Sequence, residues 1–414
     1  MLPCRRILKI GPSPVEMGDR VAIRHDAHVL IVGGGATGGG LVHDLSLRGV
    51  RVTLVDRGDL TSGTTGRHHG LLHSGARYAV GDCEAGVECI RENRILRRIA
   101  PGTFEFNDGL FVAVCEEDLG YLEPLVEGCT GAGIPAQRLT SQEALELEPN
   151  LNPELLAAVR VPDATVDPMR LVLRFFATAR HNGAEIRPYM EVIDLLVHDG
   201  VVSGAVVRDH VTGRTGEIHA DLVVNAAGPW SGKVAAMAGT SVPIAPSPGV
   251  LLALHGRFCN MVINRMHKSG DGDIVVPQRG LSIVGTTSWV VEDPDDLSVP
   301  EDHVERMYAE GSKLIPALRR AERRAAWSAA RPLVGSTGAA TGRELSRTFQ
   351  TFDHRERDGV EGFVTITGGK STTLRGMAEL CADVVCRKLG IEESCRTAST
   401  VLLPHTAYYS AVAA

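Results

Sequence analysis

The chain has 414 residues, which allows two or three domains at roughly 150 residues each. Of these residues, 43% are hydrophobic and 22% are charged, as in a soluble globular protein and unlike a disordered or fibrous one. The net charge of −7 argues against a nucleic-acid-binding protein that relies on overall positive charge. Nine cysteines without short regular spacing favour a reducing compartment over a disulfide framework. No apolar run approaches 18 residues, so no transmembrane helix is expected.

The first regular elements predict a β–α–β unit. Residues 1–26 show no periodicity and are expected to be a flexible extension without a convincing secretory signal. The apolar run at 28–32 predicts a strand that ends directly in glycines. Residues 36–48 predict a helix stopped by Gly49, and residues 50–56 predict a second strand.

The glycines between the first strand and helix fit a dinucleotide-binding turn. Gly33, Gly35 and Gly38 have the G-x-G-x-x-G spacing, which permits a tight turn, close approach of a pyrophosphate and packing of helix on strand. The pyrophosphate would bind the amides and the positive end of the helix. Asp56 ends the second strand, about 20 residues after the turn, where it can bond ribose hydroxyls. The alternative is a glycine-rich connector that binds no ligand.

Further elements are predicted along the rest of the chain. Asp167 and Pro168 are a helix cap and a first helical residue, and Gly390 is a helix stop. The predicted elements are a helix to residue 181, a meander (192–197, 201–208 and 217–219), strands at 222–225, 348–353 and 362–367, and a last helix at 372–389. Cys381 lies on the apolar face of that helix, so it is expected to be buried.

The spacing of the glycine-rich elements favours FAD over NAD. Ala227 and Gly228 follow a buried strand far from the first turn, and Gly368 and Gly369 follow another much later. A cofactor domain assembled from remote segments suits the long FAD molecule. Lys370 and the amides at the following helix start would stabilise an anionic reduced flavin. A capped helix without a ligand remains the alternative for this third element.

These observations predict an α/β fold with two domains. A glutathione-reductase-type, Rossmann-like FAD domain is expected from residues 27–98, 160–233 and 330–395, discontinuous in sequence. An α+β substrate domain is expected from residues 99–159 and 234–329, which lack nucleotide-type glycine turns. No metal site is predicted.

Several motifs together resemble FAD-dependent glycerol-3-phosphate dehydrogenase. They are GRHHGLLHSGARY at 66–78, VVNAAG at 223–228, GTT at 285–287, RPL at 331–333 and TGGK at 367–370. The chain is most similar to the large catalytic subunit of the anaerobic enzyme. The resemblance runs from about residue 27 to 404 and implies oxidation of sn-glycerol 3-phosphate to dihydroxyacetone phosphate, with hydride transfer to flavin N5 and electrons passed towards quinone.

The resemblance assigns the substrate-binding residues, and their chemistry suits the reaction. Arg77 and Arg331 match the family's substrate-binding arginines, and a guanidinium suits phosphate oxygens. Lys370 matches a lysine between flavin and substrate. His73 is the favoured catalytic base, since the unperturbed imidazole pKa lies near neutrality. Tyr78 is expected to orient the substrate.

The remaining points of the comparison with this family concern two histidines next to the glycine loop and the cysteines near the C-terminus. His68 and His69 are expected only to shape the glycine loop. Cys381, Cys386 and Cys395 form no C-x-x-C pair, so the chain resembles the large subunit without its cysteine-bearing C-terminal segment, and no iron–sulfur relay is expected.

Electrons would therefore leave to quinone or to a separate electron-transfer subunit. The protein is expected in the cytoplasm, with peripheral attachment to the inner face of the cell membrane as a hypothesis. A homo-oligomer and a role as one subunit of a complex are both compatible with the sequence. Two other functions stay open, namely an FAD-dependent oxidase or dehydrogenase of a hydroxy acid or amino acid, and a non-catalytic FAD-binding subunit.

Overall fold

The computed structural model describes residues 21–335 and 348–410. The strands in these residues are β1 (His25–Val32), β2 (Val50–Val55), β3 (Leu71–Leu72), β4 (Phe104–Glu105), β5 (Gly109–Ala113), β6 (Gln137–Thr140), β7 (Ala157–Val161), β8 (Ala164–Val166), β9 (Glu185–Arg187), β10 (Met190–His198), β11 (Val201–Asp209), β12 (Thr215–His219), β13 (Leu222–Asn225), β14 (Ile244–His255), β15 (Val262–Arg265), β16 (Ile274–Gln278), β17 (Leu281–Gly285), β18 (Arg323–Val334), β19 (Phe349–Asp353) and β20 (Phe363–Gly368). The helices are α1 (Ala36–Leu47), α2 (Cys83–Ile99), α3 (Glu116–Leu119), α4 (Leu122–Gly131), α5 (Ser141–Leu147), α6 (Pro168–His181), α7 (Ser231–Met237), α8 (Glu301–Leu314), α9 (His354–Asp358) and α10 (Leu374–Leu389). None of these described helices has the length and apolar character needed to span a membrane.

A six-stranded sheet in the order β19-β20-β13-β1-β2-β9 forms the centre of the first domain. Its strands are parallel except β19, which pairs antiparallel with β20 at one edge. On β1, Val29 and Ile31 pack in the cluster formed with α1, α6 and α10, whereas Leu30 and Val32 pack against the β10–β12 meander. The sheet is therefore covered on both faces, which explains why its central strands read as continuous apolar runs.

The local signals in the sequence predicted most of this domain. The helices expected after Gly35 and Asp167 are α1 and α6, and the side chain of Asp167 caps α6 by accepting a hydrogen bond from the amide of Arg170 at 3.1 Å. The meander is confirmed as the antiparallel sheet β10-β11-β12. Helix α10 ends at Gly390, whose φ of +68° is left-handed, and Cys381 on this helix is fully buried.

Three boundaries differ from the prediction. Strand β1 begins at His25, inside the predicted flexible extension, whose residues 1–20 lie outside the described part of the chain. The short helix α9 lies in the connection between β19 and β20, between the predicted strands at 348–353 and 362–367, where no helix was predicted. A 3-10 turn at Ser371–Thr373 precedes α10, because Thr373 bonds back to Lys370 before the helix begins.

A second, eight-stranded sheet has the order β18-β14-β17-β16-β15-β5-β7-β6. All its strand pairs are antiparallel except β5 with β15. Helix α8 packs on it through Val304, Met307 and Leu314. The last strand, β18, extends to Val334, so Arg331 lies on this second sheet and not in the cofactor domain that was predicted to resume at residue 330. The cause is the long pairing of β18 with β14, which no local pattern reveals.

A buried ion-pair network joins α2 to α10 beneath the first sheet. Arg375 is 1% exposed and donates to both carboxylate oxygens of Glu92, at 2.8 and 2.6 Å. The same guanidinium also donates to Glu379 at 2.7 Å and to the hydroxyl of Thr397 at 2.9 Å. Because Arg375 and Glu92 satisfy each other's hydrogen bonds away from water, removal of either one leaves a buried charge without compensation.

The substitution Arg375→Met is therefore expected to lower the free energy of unfolding by about 3 kcal/mol or more. Urea denaturation followed by circular dichroism would measure this loss. A double substitution of Arg375 and Glu92 by methionine is expected to recover much of it, because the buried Glu92 carboxylate is then absent and the Glu379 side chain, which is 27% exposed, can be hydrated. Equal stability of the Arg375→Met variant and the native protein would contradict this view of the network.

Candidate functional site

A long cavity of about 1100 Å³ lies between the carboxyl edge of the first sheet and the face of the second. This volume slightly exceeds the usual range for small-molecule sites, so the cavity can hold a large cofactor together with a small substrate. The predicted cofactor residues that line it are Gly33, Gly35, Asp56, Ala227, Gly228, Gly368 and Gly369. The predicted substrate and catalytic residues that line it are His73, Arg77, Tyr78, Arg331 and Lys370.

The first glycine turn is built by close backbone approach. Gly33 follows β1 with a φ of +115°, and a Cβ there would lie 2.6 Å from the carbonyl oxygen of Ala226. Gly38 lies in the first turn of α1, where a Cβ would lie only 1.9 Å from the carbonyl oxygen of Gly33. Side chains are thus excluded at both positions, and the amino end of α1 opens on the cavity at Gly35. This arrangement fits a pyrophosphate held by helix amides.

Asp56 is fixed at the end of β2 by two backbone amides. Its carboxylate accepts from Gly34 at 2.6 Å and from Gly58 at 2.8 Å. Burial raises the pKa of Asp56, and these two hydrogen bonds oppose that rise. Each oxygen retains acceptor capacity, so the carboxylate can also bond the hydroxyls of a ribose.

Two remote glycine elements meet the first one at the carboxyl ends of the parallel strands. The amide of Ala226 donates to the carbonyl of Val32 at 2.9 Å, which places Ala227 and Gly228 beside the first turn. Gly368 ends β20 with a φ of +91°, and a Cβ there would lie 2.7 Å from the carbonyl oxygen of Thr348. A ligand that touches all three elements must be extended, as FAD is, and the edge where they meet is the usual binding position in open α/β sheets.

Arg77 reaches the cavity as part of a buried ion pair. It bonds the carboxylate of Asp273, which is 1% exposed, and lies 3.4 Å from the amide oxygen of Asn264. Burial alone would raise the pKa of Asp273, but Arg77 and a hydrogen bond from His267 lower it to about 2. The guanidinium is therefore held rigidly in one position by an anion that was not predicted. Asp273 lies 196 residues from Arg77, so no local spacing could have linked them.

Arg331 enters the cavity from β18 on the second sheet. Its guanidinium donates to the carbonyl oxygens of Ser247 and Thr287, each at 3.2 Å, and to the hydroxyl of Thr286. A Cβ at Gly249 would lie 2.6 Å from Nη2 of this arginine, so the neighbouring strand needs glycine to admit the side chain. These contacts hold the arginine head against the cavity wall.

Lys370, Tyr78 and His73 form a group on the first domain's side of the cavity. The ammonium of Lys370 is 5.1 Å from the centre of the Tyr78 ring and 3.9 Å from a carboxylate oxygen of Glu88. The His73 ring is 5.4 Å from the Tyr78 ring, and the His73 amide donates to the hydroxyl of Thr372 at 3.1 Å. The structure thus brings the predicted base and lysine together. Glu88, which was not predicted, is carried by α2.

His68 and His69 also line the cavity, although only a role in loop shape was predicted for them. The rings of His69 and His73 are 6.1 Å apart, and those of His68 and His69 are 6.0 Å apart. Burial lowers the pKa of His68 to about 4. Three imidazoles therefore occupy one wall of the site. Their clustering in the HHGLLH segment was the signal available in the sequence.

In residues 21–335 and 348–410, no three His, Cys, Asp or Glu side chains are grouped so as to hold a metal ion.

The other end of the cavity is crossed by the connection between β17 and α8. Asp295 in this connection accepts hydrogen bonds from Arg57, the Trp230 indole and Lys233, each at 2.8 Å. Asp295 and Leu297 both line the cavity. Burial favours a raised pKa for Asp295, but the hydrogen bonds from Arg57, Lys233 and Trp230 hold it well below the usual range. The second domain is thereby tied to the first beside the predicted ribose site.

Comparison with known proteins agrees with this geometry. Residues 28–384 match the model of the family of FAD-dependent oxidoreductases. The chain is 46% identical to a subunit of the anaerobic glycerol-3-phosphate dehydrogenase of Escherichia coli, over 90% of this chain and 69% of that protein. It is 42% identical to the corresponding subunit of Haemophilus influenzae, over 97% of this chain and 75% of that protein.

A solved structure extends the comparison to the fold and cofactor. Glycerol-3-phosphate dehydrogenase from Bacillus halodurans, solved in complex with FAD, superposes with a TM-score of 0.71 at 26% identity, covering 92% of this chain and 68% of that one. The glycine elements described above fit FAD, because side chains are excluded where its pyrophosphate would approach the backbone. The chain therefore belongs to the FAD-dependent oxidoreductases and, within them, to the family of glycerol-3-phosphate dehydrogenases.

Proposed function

We propose that this protein oxidises sn-glycerol 3-phosphate to dihydroxyacetone phosphate with FAD. The main support for the proposal is that one cavity is lined by a dinucleotide-binding turn, by His73 and by three cationic side chains. These side chains are Arg77, Arg331 and Lys370. The names of the relatives support the same substrate. A phosphate dianion is matched by several separate cations, whereas one bidentate guanidinium suffices for a carboxylate.

The second sheet and the first domain would share the binding of the substrate. Arg331 is fixed by carbonyl oxygens of the second sheet and is suited to hold the phosphate. Arg77 is paired with Asp273, so part of its positive charge is offset and it contributes directional N–H donors as well as charge. Lys370 follows the Gly368–Gly369 turn and lines the same cavity, with a side chain that is 7% exposed, so it is suited to bond the substrate hydroxyl.

The chemical step requires removal of a hydride and a proton from the secondary alcohol. FAD, when bound, accepts the hydride at flavin N5. His73 is suited to take the hydroxyl proton, because its ring lies beside Tyr78 at the wall of the cavity and its backbone is anchored at Thr372. The enclosed position between two sheets limits access of bulk water to the reacting atoms.

Disposal of the electrons completes the proposed reaction. A quinone or a separate electron-transfer subunit would reoxidise the flavin, and the anaerobic character stated in the relatives' names favours such an acceptor over oxygen. Access to a membrane quinone would place the protein at the inner face of the cell membrane as a peripheral protein. Activity with a soluble quinone analogue in the absence of lipid, unchanged by vesicles, would argue against that location.

Anaerobic mixing with substrates tests the proposed function. Purified protein with FAD is expected to lose its flavin absorbance near 450 nm faster with glycerol 3-phosphate than with glycerol, a 2-hydroxy acid or an amino acid, because only the first presents a phosphate dianion. Stopped-flow absorbance provides the rates. Faster reduction by a hydroxy acid or an amino acid would reject this substrate, and no reduction by any of them would favour a non-catalytic FAD-binding subunit.

The ion pairs of Asp295 are expected to slow release of the cofactor. Asp295→Asn removes the charge that ties Arg57 and Lys233 to the second domain, so FAD should dissociate several-fold faster. Because these groups are partly exposed, salt should accelerate release from the native protein more than from the variant. Flavin fluorescence after dilution measures the rate.

The exposed Asp199, which lies in the turn after β10, provides a matched control as Asp199→Asn. Its FAD release is expected to match that of the native protein. If the Asp295→Asn variant also releases FAD at the native rate at low salt, the connection does not retain the cofactor.

A further inference from the structure

The backbone of His69 is held on the second sheet by one side chain. The side-chain amide nitrogen of Gln278, at the end of β16, lies 3.1 Å from the carbonyl oxygen of His69, 3.1 Å from that of Gly70 and 3.0 Å from that of Val166. Gly70 has a φ of +78°, and its amide donates to Nδ1 of His68 at 2.9 Å. The segment is therefore fixed in position before any ligand binds.

The two nitrogens of the His69 ring differ in their surroundings. Nδ1 is buried and has no hydrogen-bond partner within the described residues. The ring lines the cavity, and Nε2, unlike Nδ1, is not among the buried polar atoms that lack a partner, so Nε2 is the nitrogen available to a bound molecule. An orphaned buried acceptor is less costly than an orphaned buried N–H. The favoured tautomer therefore keeps the lone pair on Nδ1 and directs the Nε2 proton into the cavity.

The charge state of His69 supports a role as hydrogen-bond donor and argues against a role as base. Burial lowers its pKa well below the usual value, and His68, His73, Arg77 and Arg331 lower it further. The charged and titratable groups that act most strongly on the ring are thus these two histidines and two arginines. At neutral pH the imidazole thus carries no charge and takes up a proton poorly, but it can still donate one hydrogen bond.

We propose that His69 is a second catalytic residue, which donates its Nε2 hydrogen bond to the oxygen of the alcohol being oxidised. This inference rests on the proposed function. The substrate O–H bond breaks and its proton passes to His73, while the hydride leaves the same carbon for FAD and the carbonyl double bond forms. His69 keeps its own proton throughout. Its hydrogen bond stabilises the negative charge that develops on the oxygen as the proton departs.

Two substitutions of His69 distinguish a role as hydrogen-bond donor from a role in filling space. His69→Gln places an uncharged N–H near the position of Nε2, whereas His69→Leu fills similar space without a donor. In anaerobic stopped-flow with glycerol 3-phosphate, His69→Leu is expected to lower the limiting rate of flavin reduction by about 100-fold. His69→Gln is expected to retain most of the native rate. Rates are compared on the FAD-loaded fraction of each protein, so that any loss of folding or cofactor is accounted for.

A binding measurement provides a readout that does not depend on turnover. Dihydroxyacetone phosphate titrated into the oxidised protein should perturb the flavin spectrum. Its affinity should be weaker for His69→Leu than for His69→Gln, because only the latter offers a donor to the ketone oxygen. Equal affinities and equal reduction rates for the two variants would overturn the donor role.

The pH dependence distinguishes His69 from His73. If His73 is the base, the rate of flavin reduction in the native protein should fall at acidic pH as His73 becomes protonated. His73→Gln should abolish this acidic limb of the pH profile. His69→Gln should keep it, because His69 does not titrate in that range. Loss of the limb in His69→Gln would identify His69 as the base and overturn the proposal. If the native protein is not reduced by glycerol 3-phosphate at all, the proposed function itself fails, which is a different result from either of these.

Discussion

The contact between Gly38 and the carbonyl of Gly33 is the constraint on which the site depends. A Cβ at Gly38 would lie 1.9 Å from that oxygen, so α1 can approach β1 only where no side chain intervenes. This approach sets the amino end of α1 at the floor of the cavity and brings Gly33 against Ala226 of the second element. The helix amides then face the place where a pyrophosphate would lie. The remaining cofactor contacts follow from the register of β1 with β13 and of β13 with β20.

The second sheet turns this cofactor cavity into a reaction site. It carries Arg331 on β18, and it places Asp273 next to β16, where it fixes Arg77 of the first domain. Gln278 from the same sheet holds the backbone beneath His69. Arg77 and His69 of the first domain are thus positioned by residues of the second domain. The candidate site is therefore formed by both sheets together.

Local signals in the sequence predicted the elements whose ends are marked by caps, glycines and alternation. The β1–α1–β2 unit, α6 with its Asp167 cap and α10 with its Gly390 stop all belong to this class. Helix α2 was not predicted, although Asp82 caps it and it supplies Glu88 and Glu92. The order of the eight-stranded sheet could not be predicted from the sequence either, because it depends on the pairing of β5 with the remote β15 and on the pairing of β14 with β18. The partners of the site residues were hidden for the same reason.

FAD binding to the native protein and to the Gly38→Ala variant tests the role of the Gly33–Gly38 contact most directly. The native chain is expected to bind one FAD per polypeptide, whereas the added methyl group should displace α1 from β1 and weaken binding strongly, with a smaller change in the second domain. Flavin absorbance and fluorescence titration give both stoichiometry and affinity. A Gly38→Ala variant that binds FAD as well as the native protein would contradict the role of this contact, and a native protein that cannot be loaded with FAD would contradict the cofactor site itself.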